Sequence, residues 1–472
     1  MLPERTRRAS PVEIMEQNKL GWLSIFRLGL VQAALGALVV LTTSTLNRVM
    51  VVELALPAII PGALVTVHHA MQMLRPRMGY GSDGGARRTP WIIGGMGALA
   101  VGGVGAAGAT SLMASHFALG LILGTLSFAL IGAGVSACGT SLLVLMAKRV
   151  AAERRGAAAT VVWMMMIAGF AITATVAGKL LDPFTATRLM TVTGCVSGAA
   201  FLLAVLALWG VEGRATAATA ATAATAARDE APAEPKADFK TALRQVWAEP
   251  DARRFTIFVF VAMLAYSAQD LILEPFAGTI FAFSPGESTK LSGVQHGGVF
   301  AGMLLVAIVT SVFKGTPAAS LKGWVVGGCV ASALAMSGLV GAGLQAGSSS
   351  WPLRENVFLL GVANGVFCIA AIGSMMTLAT QGRSAREGTR MGLWGAAQAI
   401  AFGLGGFGGT VLVDLGKWLM GPGANPASAY ALVFALEALG FFAAHWLALN
   451  TSFSMKAAVA GDRAATTGSA VR

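Results

Sequence analysis

The sequence predicts an all-α membrane protein with twelve transmembrane helices in two pseudo-symmetric six-helix bundles. Three observations carry this. Twelve apolar segments, each long enough to cross a hydrocarbon core of about 30 Å, fill nearly the whole chain between Trp22 and Asn450. In lipid a spanning segment must satisfy its own backbone polar groups, so these segments are helices. The composition is 55% hydrophobic and 12% charged, with 59 glycines in 472 residues, well above the soluble average of about 7%. Small residues let helix backbones approach closely in a bilayer. Finally, one long hydrophilic stretch separates six apolar segments from six more.

In order, the first bundle covers 22–211, with spans at 22–49, 54–74, 91–113, 117–147, 157–179 and 189–211. The second covers 254–450, with spans at 254–283, 293–313, 323–345, 356–380, 391–415 and 428–450. Residues 1–21 form a polar tail, and residues 451–472 another. No cleavable leader is expected in the N-terminal stretch, because the first span is too long for a signal core. The linker, 212–253, holds an Ala/Thr tract from Ala215 to Ala227 with no apolar face to bury. It ends in a short amphipathic stretch, Lys240 to Trp247.

Orientation follows from the basic residues of the loops. Loops after even-numbered spans carry Arg75, Arg77, Arg87 and Arg88, then Lys148, Arg149, Arg154 and Arg155, then Lys314 and Lys322, then Arg383, Arg386 and Arg390. The opposite loops carry only Arg48, Lys179, Arg188, Lys290, Arg354 and Lys417. Both termini and the linker are therefore expected on the cytoplasmic side of a bacterial inner membrane. The net charge of +12 sits in these short loops, which argues against a nucleic-acid partner. Four cysteines, Cys138, Cys195, Cys329 and Cys368, lie inside apolar spans without paired spacing, as packing residues do.

The two halves share a weak internal likeness. The first span ends Thr45-Leu-Asn47-Arg48-Val-Met-Val-Val-Glu53, and the seventh reads Ser267-Ala-Gln269-Asp270-Leu-Ile-Leu-Glu274-Pro275. An amide, a charged residue and a glutamate recur in order. Charges within spans are costly and tend to pair inside the bundle. Arg48 is accordingly expected to pair with Asp270 or Glu274 at the periplasmic end, with Asn47, Glu53 and Gln269 beside them.

The loop Gly79-Tyr-Gly-Ser-Asp83-Gly-Gly-Ala-Arg87-Arg88 resembles the loop between the second and third spans of the major facilitator superfamily. The resemblance implies that Asp83 caps a neighbouring helix and that Arg87 and Arg88 pair with acids. Gly84 and Ala86 depart from the pattern, and Lys314-Gly-Thr-Pro after the eighth span gives no clear second copy.

A narrower resemblance rests on Leu-Asn-Arg-Val-Met-Val-Val-Glu-Leu, Arg-Pro-Arg-Met-Gly-Tyr-Gly-Ser-Asp, Gln269-Asp270-Leu-Ile-Leu-Glu274-Pro275, and Gly392-Leu-Trp394-Gly-Ala-Ala-Gln398. These runs resemble the PucC/LhaA bacteriochlorophyll delivery family, and the Val67 to Met73 stretch is closer to its PucC branch. The resemblance implies a light-harvesting antenna assembly factor in the intracytoplasmic membrane of a purple phototrophic bacterium. Bacteriochlorophyll or a precursor is then the cargo, with antenna polypeptides and bacteriochlorophyll synthesis enzymes as partners and the peripheral antenna as the product served. It also marks Trp394 and Gln398 as polar positions of the eleventh span.

An imidazole can ligate the magnesium of a chlorin. His68, His69 and His296 are the pigment-binding candidates, although most histidines at such positions are interfacial or simply hydrogen-bonded. His68 and His69 are adjacent, about 100° apart on a helix, so at most one is expected to face a given site. Gly297 and Gly298 beside His296 would leave room for a large flat ligand. Trp163 to Met166 and Met375-Met376 form soft apolar surfaces, which usually means packing. The glycine-rich third and eleventh spans are plausible docking faces for small helices, and internal packing explains them equally well. No nucleophile elbow, phosphate loop or metal-spaced His/Cys cluster appears, so no enzyme is expected. The alternative is a secondary transporter of a small solute. Its midplane polar groups would be few: Gln32, Thr42, Asn364 and Gln398. That scarcity favours an apolar interior and a hydrophobic ligand.

Overall fold

A computed structural model of the chain describes residues 20–74, 87–151, 154–212, 244, 246–313, 315–345, 351–381, 387–421, 423 and 425–451. Among these every regular element is helical. Helix α1 runs Trp22–Glu53, α2 Ile59–Met71, α3 Thr89–Met113, α4 Phe117–Arg149, α5 Arg155–Leu180 and α6 Ala186–Leu208. The second half repeats the layout with α7 Pro250–Phe281, α8 Pro285–Val312, α9 Leu321–Leu344, α10 Leu353–Gln381, α11 Glu387–Met420 and α12 Pro426–Asn450.

Eleven of these are long and apolar enough to cross a membrane, and α2 is the short one. The expected span 54–74 is only 13 residues of α-helix closed by a 3₁₀ turn, Gln72–Leu74. Ala55 adopts a positive φ of 50°, and Pro57 holds the residue before it out of the helical region. Residues 54–58 are therefore used in a bend.

Two other boundaries move for readable reasons. Helix α1 reaches Glu53 because two π-helical stretches, Leu41–Thr45 and Val49–Glu53, carry it past Arg48. Thr42 and Thr43 donate to Leu38 O and Val39 O, competing with the backbone ladder and loosening it. Helix α8 starts at Pro285, eight residues before the expected span. Ser284 and Glu287 form a capping box there, the Ser-x-x-Glu pattern that opens helices. Lys290 thus sits on a helix, not in a loop.

The halves pack alike. In the first, α3 lies on α4 and α6, α1 on α5 and α6, and α2 on α4. In the second, α9 lies on α10 and α12, α7 on α11 and α12, and α8 on α10. Each half buries its own apolar core. Two equivalent seams join them, α5 against α8 and α2 against α11. Trp163, Met164, Met166 and Ile167 fill the first seam against Val299 and Met303, so the methionine stripe of the fifth span is packing between bundles. The glycine-rich spans likewise pack internally. Gly95 and Gly102 of α3 meet α4 backbone, and Gly405 and Gly409 of α11 meet α7. Each span also keeps an outward face, where Gly94 of α3 and Gly408 of α11 meet nothing within 4 Å.

Candidate functional site

A cavity of about 130 Å³ lies between the bundles at mid-length of the helices, lined from α1, α2, α5, α7, α8 and α11. All three candidate histidines reach it. His68 and His69 both line the wall despite their adjacency, with rings 4.9 Å apart and edge-on. The side-chain Nε2 of Gln72 sits 3.0 Å from His68 Nε2 and 3.3 Å from His69 Nδ1. His296 stands opposite, on the middle of α8. Its Nδ1 donates to Ser292 O at 2.9 Å, which fixes the tautomer and leaves Nε2 as the acceptor. Phe170 of α5 meets its ring edge-on at 4.9 Å. The room expected beside it is half filled: Gly298 abuts the α10 backbone at Phe358 and Val362, and only Gly297 is open.

Asp270 also lines the cavity. It is half-buried and makes no hydrogen bond or ion pair with any described residue. Gln295, 4% exposed, borders the same space with its amide unpaired. Thr43, Ser44, Thr66 and Ser267 add hydroxyls to the lining. This chamber is small and mostly apolar, as the scarcity of midplane polar groups suggested, with Val65, Phe170, Leu271, Phe402 and Phe407 lining it beside these few polar groups. Gln295 and Ser44 carried no motif in the sequence that would have marked them.

Toward the Glu53 end, α1 and α8 zip together. Ser44 bonds to Glu274 and lies 3.4 Å from Ser292, Thr45 lies 3.2 Å from Thr289, and Arg48 Nε donates to Ser288 at 3.1 Å. Arg48 is 1% exposed. Its ion pair is to Glu53, and it donates also to Phe283 O. The expected pairing with Asp270 or Glu274 is not formed. Glu274 takes the Ser44 hydroxyl instead, and Asp270 faces the cavity. Gly278 of α7 leaves the space that the guanidinium occupies. Asn47 bonds to Leu271 O. Gln269 and Glu437 are buried in the second bundle, Glu437 beside the Gln269 backbone, and the Gln269 side-chain amide has no hydrogen-bond partner among the described residues.

Two further ties close this end. Asp182, in the α5–α6 turn, accepts from Ser284 at 2.7 Å and pairs with Lys290 at 2.8 Å. Burial pushes its carboxyl up, but the bonds from Lys290 and Ser284, the Lys290 charge and the Gly286 N–H outweigh it, so the carboxyl is held below the ordinary aspartate value of 3.8. Asp414 of α11, which stands alone in the sequence, accepts from the Ile59 N–H at 2.7 Å. That N–H opens α2, where the helix dipole favours an anion.

The remaining expected positions are placed as follows. Gly79 and Asp83 lie outside the described residues. Arg87 is exposed. The Arg88 and Thr89 N–H groups, which open α3, are capped by the Glu212 carboxylate at 2.6–2.9 Å. Sequence reasoning had not singled out Glu212, although it directly follows the sixth span. Trp394 is a core residue, edge-on to Phe255 at 5.0 Å, and Gln398 lies half-buried outside the cavity lining. Of the other polar midplane residues, Gln32 meets Met166 Sδ, and Asn364 accepts from Ser332.

A second concavity lies outside the bundles. A groove of about 940 Å³ opens between α9 and α10. Gly323, Gly327, Ala331, Ala335 and Gly338 line it along α9, a length of about 22 Å at 1.5 Å per residue. A side-chain carbon added at Gly327 would meet nothing within 4 Å.

A family profile described as PUCC protein matches residues 45–455 of this chain. The chain belongs to the PUCC protein family. Within that family's range, a Rhodobacter capsulatus protein named bacteriochlorophyll synthase 44.5 kDa chain is 49% identical over 429 residues, covering 91% of this chain and 95% of its own. Protein PucC of Rhodobacter capsulatus is 31% identical over 436 residues, covering 88% and 89%. Among solved structures, a D-xylose-proton symporter superposes with a TM-score of 0.66 at 15% identity, over 89% of this chain and 97% of that one. That likeness shows the fold, a multi-pass membrane protein of the major facilitator type.

Proposed function

We propose that this PUCC-family chain is a non-enzymatic assembly factor that handles bacteriochlorophyll, or a precursor, and escorts antenna polypeptides in the inner membrane of a purple phototrophic bacterium. Family membership supports the bacteriochlorophyll link, together with a relative whose name carries that pigment. The peripheral antenna is the complex served, and synthesis enzymes are the donors of pigment. The excess of Lys and Arg on the even-numbered loops supports a cytoplasmic placement of both termini and the linker.

The observation that carries this reading is the contrast between the two concavities. Ligand pockets for drug-sized molecules run about 300–1,000 Å³. The central cavity, about 130 Å³, does not enclose a chlorin ring. The α9–α10 groove, about 940 Å³, is apolar, faces outward and covers about three-quarters of a hydrocarbon core of about 30 Å. Small residues four apart on its floor suit the close approach of one transmembrane helix, such as that of an antenna polypeptide. Pigment contact at His68, His69 or His296 requires the two seams to part. Exchange of each histidine for Phe with unchanged pigment content would remove all three from this reading.

Affinity isolation of the full chain from phototrophically grown cells tests it. Antenna polypeptides and bacteriochlorophyll are expected in the isolate, and Gly327→Leu is expected to lower their yield several-fold at equal accumulation. An isolate free of both, with solute uptake in liposomes, supports the second reading, a small-solute transporter. The few polar side chains that border the cavity between the bundles, Asp270 and Gln295 among them, favour that alternative.

A further inference from the structure

We infer that the central cavity binds one small monovalent cation, seated between Asp270 and Gln295. The inference goes beyond the pigment reading and does not rest on it. A carboxylate inside a membrane protein is costly and is usually paired. Asp270 has none among the described residues, while its neighbour Glu274 is served by Ser44. Gln295, more than nine-tenths buried, turns an unpaired amide into the same space. An amide that far from water costs free energy unless something bonds to it. Arg48, the nearest buried cation on α1, is committed to Glu53, Ser288 and Phe283 O.

The donors define the guest. A carboxylate, an amide oxygen and hydroxyls are hard oxygen ligands, suited to alkali or ammonium ions. A volume of about 130 Å³ holds about four water-sized bodies at roughly 30 Å³ each, enough for a partly hydrated monovalent ion. A divalent ion normally draws more carboxylates, and no group of three or more acidic, His or Cys residues suited to a metal occurs among the described residues. The titratable groups around Asp270 are His68 and His69 of α2, His296 of α8, Tyr266 and Glu274 of α7, Cys368 of α10 and Glu437 of α12.

The test uses the full chain, purified without pigment in mild detergent and N-methylglucamine buffer. Its unfolding midpoint is followed against NaCl, KCl and NH4Cl at fixed ionic strength. A saturable rise with one of these cations is expected, as a ligand of the folded state produces, and Asp270→Asn is expected to abolish it. If no salt responds and the infrared difference between wild type and Asp270→Asn shows a carboxylic-acid carbonyl band, Asp270 is neutralised by its own proton and the inference is overturned. Absence of both signals overturns it too. So does a salt response that survives Asp270→Asn. Should that variant fail to accumulate, Gln295→Leu decides: a cation affinity at least tenfold weaker is expected, and an unchanged titration rejects the site.

Discussion

Asn47 donates its side-chain amide to the Leu271 carbonyl, the one acceptor that Pro275 leaves without a helical partner. In an α-helix the residue 271 carbonyl awaits the N–H of residue 275, and proline has none. A polar residue of the first bundle thus completes a backbone interrupted in the second. Asn47→Leu is expected to cost about 1–3 kcal/mol by stranding that carbonyl. Pro275→Ala restores the missing N–H and should reduce the cost of Asn47→Leu. Thermal unfolding of the two single variants and the double variant measures this coupling; additive effects would deny it.

Arg48 and Glu53 give a second ordering. Glu53→Gln removes the ion-pair partner of a guanidinium that is 1% exposed, and because the Glu53 side chain is 33% exposed the loss is expected at about 1–3 kcal/mol, below that of a fully buried pair. Glu274→Gln keeps an acceptor for Ser44 and is expected to cost less than about 1 kcal/mol. Detergent thermal melts of the two variants should rank them so. The reverse ranking would mean that Arg48 is held by Glu274 after all.

The Asp182–Lys290 tie predicts a pH dependence with a definite sign. The folded carboxyl lies below its unfolded value of 3.8. Its contribution is therefore fully present above about pH 4 to 5 and is lost as pH falls through the lower folded value. Lys290→Met should flatten the acid limb of a stability-against-pH profile and leave the neutral region nearly parallel to wild type. An acid limb unchanged in Lys290→Met would remove the tie from the account.

Glycines separate packing from surface. Gly302 of α8 touches the α10 backbone at Val362 and Val366, so Gly302→Leu must push two helices apart and should prevent accumulation. Gly327→Leu meets open space and should melt within about 0.5 kcal/mol of wild type. Expression level and thermal midpoint, read together, check the contrast.

The helical count and the two-bundle plan were legible because long apolar runs leave a chain in lipid no alternative to helix. The charge pairing was not. Arg48 and Glu53 are five apart, a spacing that an α-helix places on different faces. The π-helical stretch from Val49 to Glu53 widens the turn and brings them together, and hydropathy carries no sign of it. The cavity was half legible. The histidines stood out as types, whereas Gln295 and Ser44 gain meaning only from the helices facing them. Ser284-Pro-Gly-Glu287 was readable as a helix start, and the apolar criterion alone hid it.

The two π-helical stretches of α1 act as rotational offsets along a single rod. Each inserts an extra residue into the winding, so side chains beyond them point about 100° away from where a uniform helix would aim them. Deleting one residue between Leu41 and Thr45 would leave the hydropathy profile almost untouched. It would also swing the Arg48 guanidinium off the α8 seam. Length changes in this rod therefore act as changes of aim, and a homologue one residue shorter here would have to build its first-to-eighth helix contact from different side chains.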